Sequence, residues 1–407
     1  MLLGSLAAVV QRAPYSMHWP KDPRQAEIME ARHMRQITDD LQRMAVGTAA
    51  VPTASSDRMS SSSLVDLEAM RLLLHGGSVV DWHQLAFEDL AQVRRFFRVN
   101  EFDPDSAEDM DRVEELRSEA VDYLRRHFGY RIPEEVAEGV PVSELLLLAS
   151  RRGRHQTYAC IVLKVMLVLH HLDGRERLIR MPVSDVQLFS LVEAKVVQIV
   201  DEMRGAGLPI VEFAWSRKER DSLITKLLAK RDSIAAHVYD KLRFRLITRS
   251  YEDLAPVLRE LLARLIPFNF VMPGQTVNRL LPFTRILRDF PSLRRHQENL
   301  QVTDELNLGE TADNTFSADT YRVINFVADL PLRVSQVMRY MNLPQEETEQ
   351  FDPGGIIFVL TEFQVMDAAT NQANEQGESS HQAYKERQHI EVKARLTRGM
   401  KSRPQKG

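Results

Sequence analysis

The chain has 407 residues, of which 44% are hydrophobic and 27% charged, an ordinary globular composition in a length that allows two domains. Its formal net charge of -4 gives no global field for nucleic acid or a membrane surface, so any phosphate chemistry must rest on a local basic cluster. A single cysteine, Cys160, excludes an intrachain disulfide and a cysteine-based zinc site.

The opening "MLLGSLAAVVQRAP" has a short apolar stretch without a preceding basic residue, which makes a poor secretory signal. No later run reads as the ~20 apolar residues of a membrane span, and the expectation is a cytoplasmic protein. Residues 45–63, "AVGTAAVPTASSDRMSSSS", are rich in Ser, Thr and Ala without periodicity. Residues 1–63 are therefore expected to form a low-complexity arm, with order beginning near Leu64.

Residues 64–206 carry helical patterns only. "SLVDLEAMRLLLHGG" opens on a serine cap and closes on glycine. "SAEDMDRVEELRSEAVDYLRRHFGY" has acids in its first turn and Arg and His in its last, as the helix dipole prefers. "VSELLLLASRRG", "TYACIVLKVMLVLHHLDG" and "SDVQLFSLVEAKVVQIVDEMRGAG" follow. Within "LHHLDGRE", His170, His171 and Asp173 invite a metal-hydrolase reading. Adjacent helical residues point about 100° apart, however, a poor geometry for joint ligation. A helix end is the preferred reading, with the histidines near its C-terminus and Asp173–Gly174 turning.

From residue 207 strands appear. "LPIVEFA" reads as a strand, "RKERDSLITKLLAKR" as a helix, "VYDKLRFRLIT" as a strand and "EDLAPVLRELLARL" as a helix. "IPFNFVMPG" is extended, and "TYRVINFVADLPLRV" and "GGIIFVLTEFQVMD" are further strands. The fold class is thus α+β: a mixed-sheet domain over 207–396, preceded by an all-helical region. Stretches 281–318 and 335–353 break the rhythm and read as insertions. The end of the chain, "RLTRGMKSRPQKG", carries five basic residues and no acid, and residues 397–407 read as a solvated basic tail.

Two features point to chemistry. Lys218, Ser222 and Lys226 lie four apart, on one stripe of a helix near its start, a plausible phosphate cradle or else a solvated charged face. In "LTEFQVMD", Glu362 and Gln364 share one face of an apolar strand. A buried carboxylate costs several kcal/mol unless it meets a cation, a metal or a raised pKa. Asp240 opens "DKLRFRLIT" on the side of Leu242, Phe244 and Leu246, while Arg245 falls on the other. Two carboxylates from neighbouring strands, Asp240 and Glu362, could share Mg²⁺ with nucleotide phosphates.

In order, these pieces resemble the synthetase domain of RelA/SpoT-type (p)ppGpp synthetases, a nucleotidyltransferase-like fold, over residues 208–384. Lys218, Ser222 and Lys226 match that family's ATP-gripping helix, with Ser216 at its arginine position and Arg217 one residue along. Asp240 and Arg245 match its Asp-to-Arg strand, where Arg243 replaces a small residue. Pro273 and Gly274 match a further turn, but Val277, Asn278 and Arg279 stand at its polar positions. Tyr321 fits the ring that stacks the guanine nucleotide, with Val323 and Asn325 in place of Ser and His. Glu362 and Gln364 match the final Glu-x-Gln strand.

The resemblance implies Mg²⁺-dependent transfer of pyrophosphate from ATP to the 3′-hydroxyl of a guanine nucleotide, or of a related acceptor such as a tRNA 3′ end. Asp240 and Glu362 would hold the metal and Glu362 would accept the hydroxyl proton. Lys218, Lys226 and Arg245 would balance the triphosphate. Oligomerisation stays open. Two other readings compete: a degenerate member that binds nucleotide without chemistry, and a helical scaffold in which Glu362 pairs with a buried Arg or Lys.

Overall fold

The computed structural model describes residues 59–81, 85–229, 241–293, 296, 300, 320–341, 351–376 and 381–397. The expected N-terminal arm up to Arg58, Asp240, most of the expected insertions and the end of the basic tail lie outside these residues.

Among the described residues six α-helices precede the sheet: α1 (Leu64–His75), α2 (Leu90–Val99), α3 (Ala107–Phe128), α4 (Val142–Ser150), α5 (Gln156–Arg180) and α6 (Asp185–Gly205). Local chemistry sets several of their ends. The Ser63 amide donates to Asp66 Oδ2 at 3.0 Å at the head of α1, and Ser184 and Gln187 form a reciprocal capping box on α6. Gly76 and Gly129 close α1 and α3 in the left-handed conformation, each with φ 64°.

Helix α5 departs from the expected helix end at Gly174. It runs through Asp173–Gly174 to Arg180, because Gly174 is a packing residue. A Cβ built there would lie 2.4 Å from two ring carbons of Phe358 and 2.9 Å from the Ile356 carbonyl oxygen. By length and composition alone α5 could cross a bilayer, contrary to the sequence reading, yet it packs here against α3, α4 and the sheet as a core helix.

The sheet follows, with β1 (Ile210–Arg217), β2 (Leu242–Thr248), β3 (Val277–Asn278), β4 (Ile324–Arg333) and β5 (Ile356–Asp367). Among them lie α7 (Arg220–Ala229), α8 (Leu254–Arg264), α9 (Phe283–Asp289), α10 (Val334–Met341), α11 (Ala368–Asn374) and α12 (His381–Leu396). Sheet order is β1-β2-β5-β4-β3. β2 and β5 are parallel; the other neighbours are antiparallel. The α+β class with a mixed sheet is therefore the observed one. "IPFNFVMPG" is not fully extended: Phe268–Phe270 form a short 3-10 turn, and Val271 bridges Ala328.

One apolar core runs from the helices into the sheet, joining Leu67, Leu145, Val162 and Val192 to Phe244 and Phe363. On the sheet's core face, four phenylalanine rings form a ladder across β1, β2, β5 and β4. Phe213–Phe244, Phe244–Phe363 and Phe363–Phe326 have centroids 5.9, 5.5 and 5.4 Å apart. Offset stacking of this kind adds to area burial and fixes the backbone beneath it.

Candidate functional site

Strand alternation builds the site on the face opposite the ladder. Leu242, Phe244 and Leu246 of β2 are wholly buried, which turns Arg243 and Arg245 to the other side. The parallel register sets Arg243 beside Glu362 and Arg245 beside Gln364. Antiparallel pairing continues these rows to Ser216 of β1 and to Val327 and Asn325 of β4. The rows are two residues apart, about 7 Å along the strands.

Glu362 faces an arginine. Arg243 Nε donates to Glu362 Oε2 at 2.7 Å, with the glutamate side chain 7% exposed and the arginine 32%. In the next row Arg245 donates to Gln364 Oε1 at 3.3 Å. Two guanidiniums on one strand thus face one carboxylate. Asn325, which carries that second row on toward Val277 of β3, has its Oδ1 buried without a hydrogen-bond partner among the described residues, at a cost of about 1–3 kcal/mol.

A third row is apolar: Ile247, Met366 and Val323 form a small cluster against which Tyr321 packs. Burial pushes the Tyr321 phenol above its ordinary pKa, with Arg245 and Arg243 pulling it down and Glu362 pushing it up. The ring is therefore neutral and within electrostatic reach of both charged rows. Its position is fixed from below. Asp367 caps α11, accepting from the Thr370 amide at 3.0 Å. Asn374 of that helix then clamps the residue after Tyr321, accepting from the Arg322 amide at 3.0 Å and donating to its carbonyl at 2.7 Å. The site thus grades from charged to aromatic along one direction.

The far end of this face is closed by α5. Phe358, on the Glu362 side of β5, takes Gly174 and the rings of His170 and His171. His171 Nε2 lies 2.7 Å from the buried carboxylate of Asp329 on β4.

The other predicted residues are placed as follows. Lys218 is half-buried just beyond β1, and its amide donates to the Lys241 carbonyl at 2.8 Å, at the sheet end where Arg243 and Glu362 sit. Ser222 and Lys226 are on α7, which leans on α12. Asp240 lies outside the described residues. Among the described residues no group of three or more His, Cys, Asp or Glu could hold a metal. Arg217 serves the core face: Nε and an Nη donate to the two oxygens of Glu193, each at 2.8 Å.

Sequence reasoning expected an Arg or Lys partner for Glu362 only under the scaffold reading, and took Arg243 itself only as a replacement of a small residue; the structure supplies that partner as Arg243. The available signal was its i,i+2 spacing with Arg245. The Asn374 clamp had no sequence signal beyond the Asp367 cap that starts its helix.

No known family profile matches the chain, and no curated protein does. Solved structures give a likeness over 52% of the chain. The small alarmone synthetase 1 of Bacillus subtilis is 18% identical, with 87% of its chain covered and a TM-score of 0.26. A GTP pyrophosphokinase family protein of Streptococcus pneumoniae is 15% identical, with 84% covered and a TM-score of 0.27. The B. subtilis synthetase 1 bound to its product pppGpp is 14% identical, with 90% covered and a TM-score of 0.25. Likeness of this size fixes neither an activity nor a site.

Proposed function

We propose that the chain binds a nucleoside polyphosphate, ATP or a guanine nucleotide, across the second face of β2 and β5. The observation that carries this reading is the pair Arg243 and Arg245, two guanidiniums held on one strand face between Glu362, Gln364 and the Tyr321 ring. Guanidinium forks match phosphate oxygens bidentately. An aromatic ring at the apolar end offers a base a stacking surface, and the unpartnered Asn325 Oδ1 offers it an acceptor. Lys218, at the charged end, would extend the phosphate contacts.

The second reading is pyrophosphate transfer from ATP to the 3′-hydroxyl of a guanine nucleotide, or to a tRNA 3′ end. The position of Glu362 favours it, as a buried carboxylate two residues from Gln364 on the same face. Glu362 would accept the proton of the attacking hydroxyl, and for that Arg243 must first release it. The chain's own residues otherwise position and neutralise: Arg245 and Lys218 on phosphates, Tyr321 on a base.

Binding of a fluorescent ATP analogue, with unlabelled ATP, GDP and GTP as competitors, tests the first reading. Tyr321→Leu and Arg245→Ala are each expected to weaken binding about tenfold or more, since base stacking and a charge-assisted phosphate contact are each worth about 1–3 kcal/mol. Binding unchanged in both variants, or no binding to the native chain at millimolar nucleotide, sinks it. Transfer of label from γ-labelled ATP to GDP, GTP or bulk tRNA, lost in Glu362→Ala, is the result that would establish the second.

A further inference from the structure

A cavity of about 50 Å³ lies in the helical layer, where Phe97 of α2, Val113 of α3, Leu146 of α4 and Met166 of α5 each supply a wall. One water needs about 10–15 Å³ on this scale, so there is room for about four, on the order of 120 Å³ of liquid, or for one small ring. No acid, lysine or arginine lines it, and its polar side chains are Asn100 and His170. Asn100 is engaged elsewhere. Its Oδ1 accepts from Asn269 Nδ2 at 2.9 Å, and its Nδ2 donates to the Phe96 carbonyl at 2.9 Å.

His170 is not so engaged. It is 6% exposed, and its Nε2 is buried with no hydrogen-bond partner among the described residues. The ring is held between Phe102, which also lines the cavity, and Phe358, with centroids 5.0 and 5.3 Å away. A buried polar atom without a partner is costly. Water answers it poorly, because ordered buried waters typically take two to four polar partners. The lining offers one open buried side-chain atom, Nε2.

From this geometry we infer that the cavity is a binding site for a small neutral molecule, an apolar ring bearing one hydroxyl, whose hydroxyl meets His170 Nε2. Each part of that ligand class follows from the lining. The apolar walls take the ring. Burial pushes the His170 imidazole down to about 3, so it is neutral in the ordinary working range. An anion would therefore meet no counter-charge and lose its hydration without compensation. A neutral imidazole has one donor and one acceptor nitrogen, and a hydroxyl both donates and accepts. It thus satisfies Nε2 in either tautomer, as an ether or a carbonyl does not. Phe96, Leu116 and Leu167 are wall residues that are only half-buried, which puts the entrance on their side. The site goes beyond the nucleotide reading and stands without it.

Phenol and toluene, matched in size and differing in the hydroxyl, are the probes. Each is titrated to millimolar concentration against the full-length chain, with binding read from saturation-transfer magnetic resonance and from the rise in Tm that a bound ligand produces. Phenol should bind the native chain saturably. The ratio of phenol to toluene affinity should fall tenfold or more in His170→Leu, which keeps the apolar walls and removes Nε2. Leu146→Phe, which fills the space, should weaken both probes tenfold or more. Should His170→Leu fail to fold, the Nε2 resonance of His170 in the native chain decides: phenol should shift it further than toluene does. Absence of phenol binding, a ratio unchanged in His170→Leu, undiminished binding in Leu146→Phe, or equal shifts of Nε2 with the two probes overturns the inference.

Discussion

Gly174 tests how the helical region meets the sheet. Substitution by alanine adds one methyl group, and that group would lie 2.4 Å from Cδ2 and Cε2 of Phe358 and 2.9 Å from the Ile356 carbonyl oxygen. Phe358 is fully buried, hemmed by Phe270 at 4.5 Å and by both His170 and His171, so the ring has nowhere to turn. Overpacking a dense interior costs about 1–3 kcal/mol and sometimes more, and here a ring and a strand carbonyl are both struck. Alanine in a helix interior returns about 1 kcal/mol of propensity. The net expectation is a loss of about 2 kcal/mol for Gly174→Ala, read from urea unfolding at unchanged m-value. Gly205, the last residue of α6, has nothing within 4 Å of a built Cβ, and Gly205→Ala is the control, expected to be neutral or slightly stabilising. A Gly174→Ala chain as stable as the native one, with the control behaving as stated, would refute the docking of α5 on β5.

Arg217→Ala should cost about 2–4 kcal/mol, because it strands the carboxylate of Glu193, whose side chain is 2% exposed. Urea midpoints of Glu193→Gln/Arg217→Met should recover most of that loss; a double variant as unstable as the single one contradicts the pairing. Acid should weaken the fold through His170, whose imidazole burial pushes down to about 3, with Arg177 and His171 adding to it. Since its folded pKa lies below the unfolded one, the unfolded chain takes the proton first. The stability it contributes is complete above about pH 6.5 and drains as pH falls toward the folded value, by at most about 1.4 kcal/mol per unit. His170→Leu should therefore flatten the stability-against-pH slope between about pH 6 and 5, where most carboxylates remain ionised, and an unchanged slope would exclude His170 as its source.

Much of the sheet could be read from the sequence because its strands alternate or run apolar between clear breakers. β2 and β5 declare themselves through Leu242-Arg243-Phe244-Arg245 and through the run after Gly354–Gly355. The two residues of β3 carry no period, so nothing marked them. Gly174 misled because a helix-interior glycine kept for close approach looks, in sequence, like one kept for a C-cap. The site was half legible. Glu362 and Gln364 stood out as polar residues in a buried strand and Arg245 through alternation, while Tyr321 was marked only by the family resemblance. Their neighbours could not be read, since register between strands is a tertiary property. Alternation could not say which strand would lie beside β2, and it is the pairing that sets Glu362 beside Arg243.

The middle position of β5 has a consequence for how the chain is made. Arg243 and Glu362 are 119 residues apart, so at ribosomal rates on the order of 10 s separate the synthesis of β2 from that of its neighbour. Through that interval the β1–β2 ribbon, joined late in it by β3–β4, presents an unpaired inner edge, because the strand that joins the two ribbons has yet to emerge. β5 then enters as a keystone, closing both edges at once and bringing the two arginines to their glutamate and glutamine in the same step. Chains cut before Gly354 keep both edges open, and are expected to aggregate rather than to persist as a smaller folded unit.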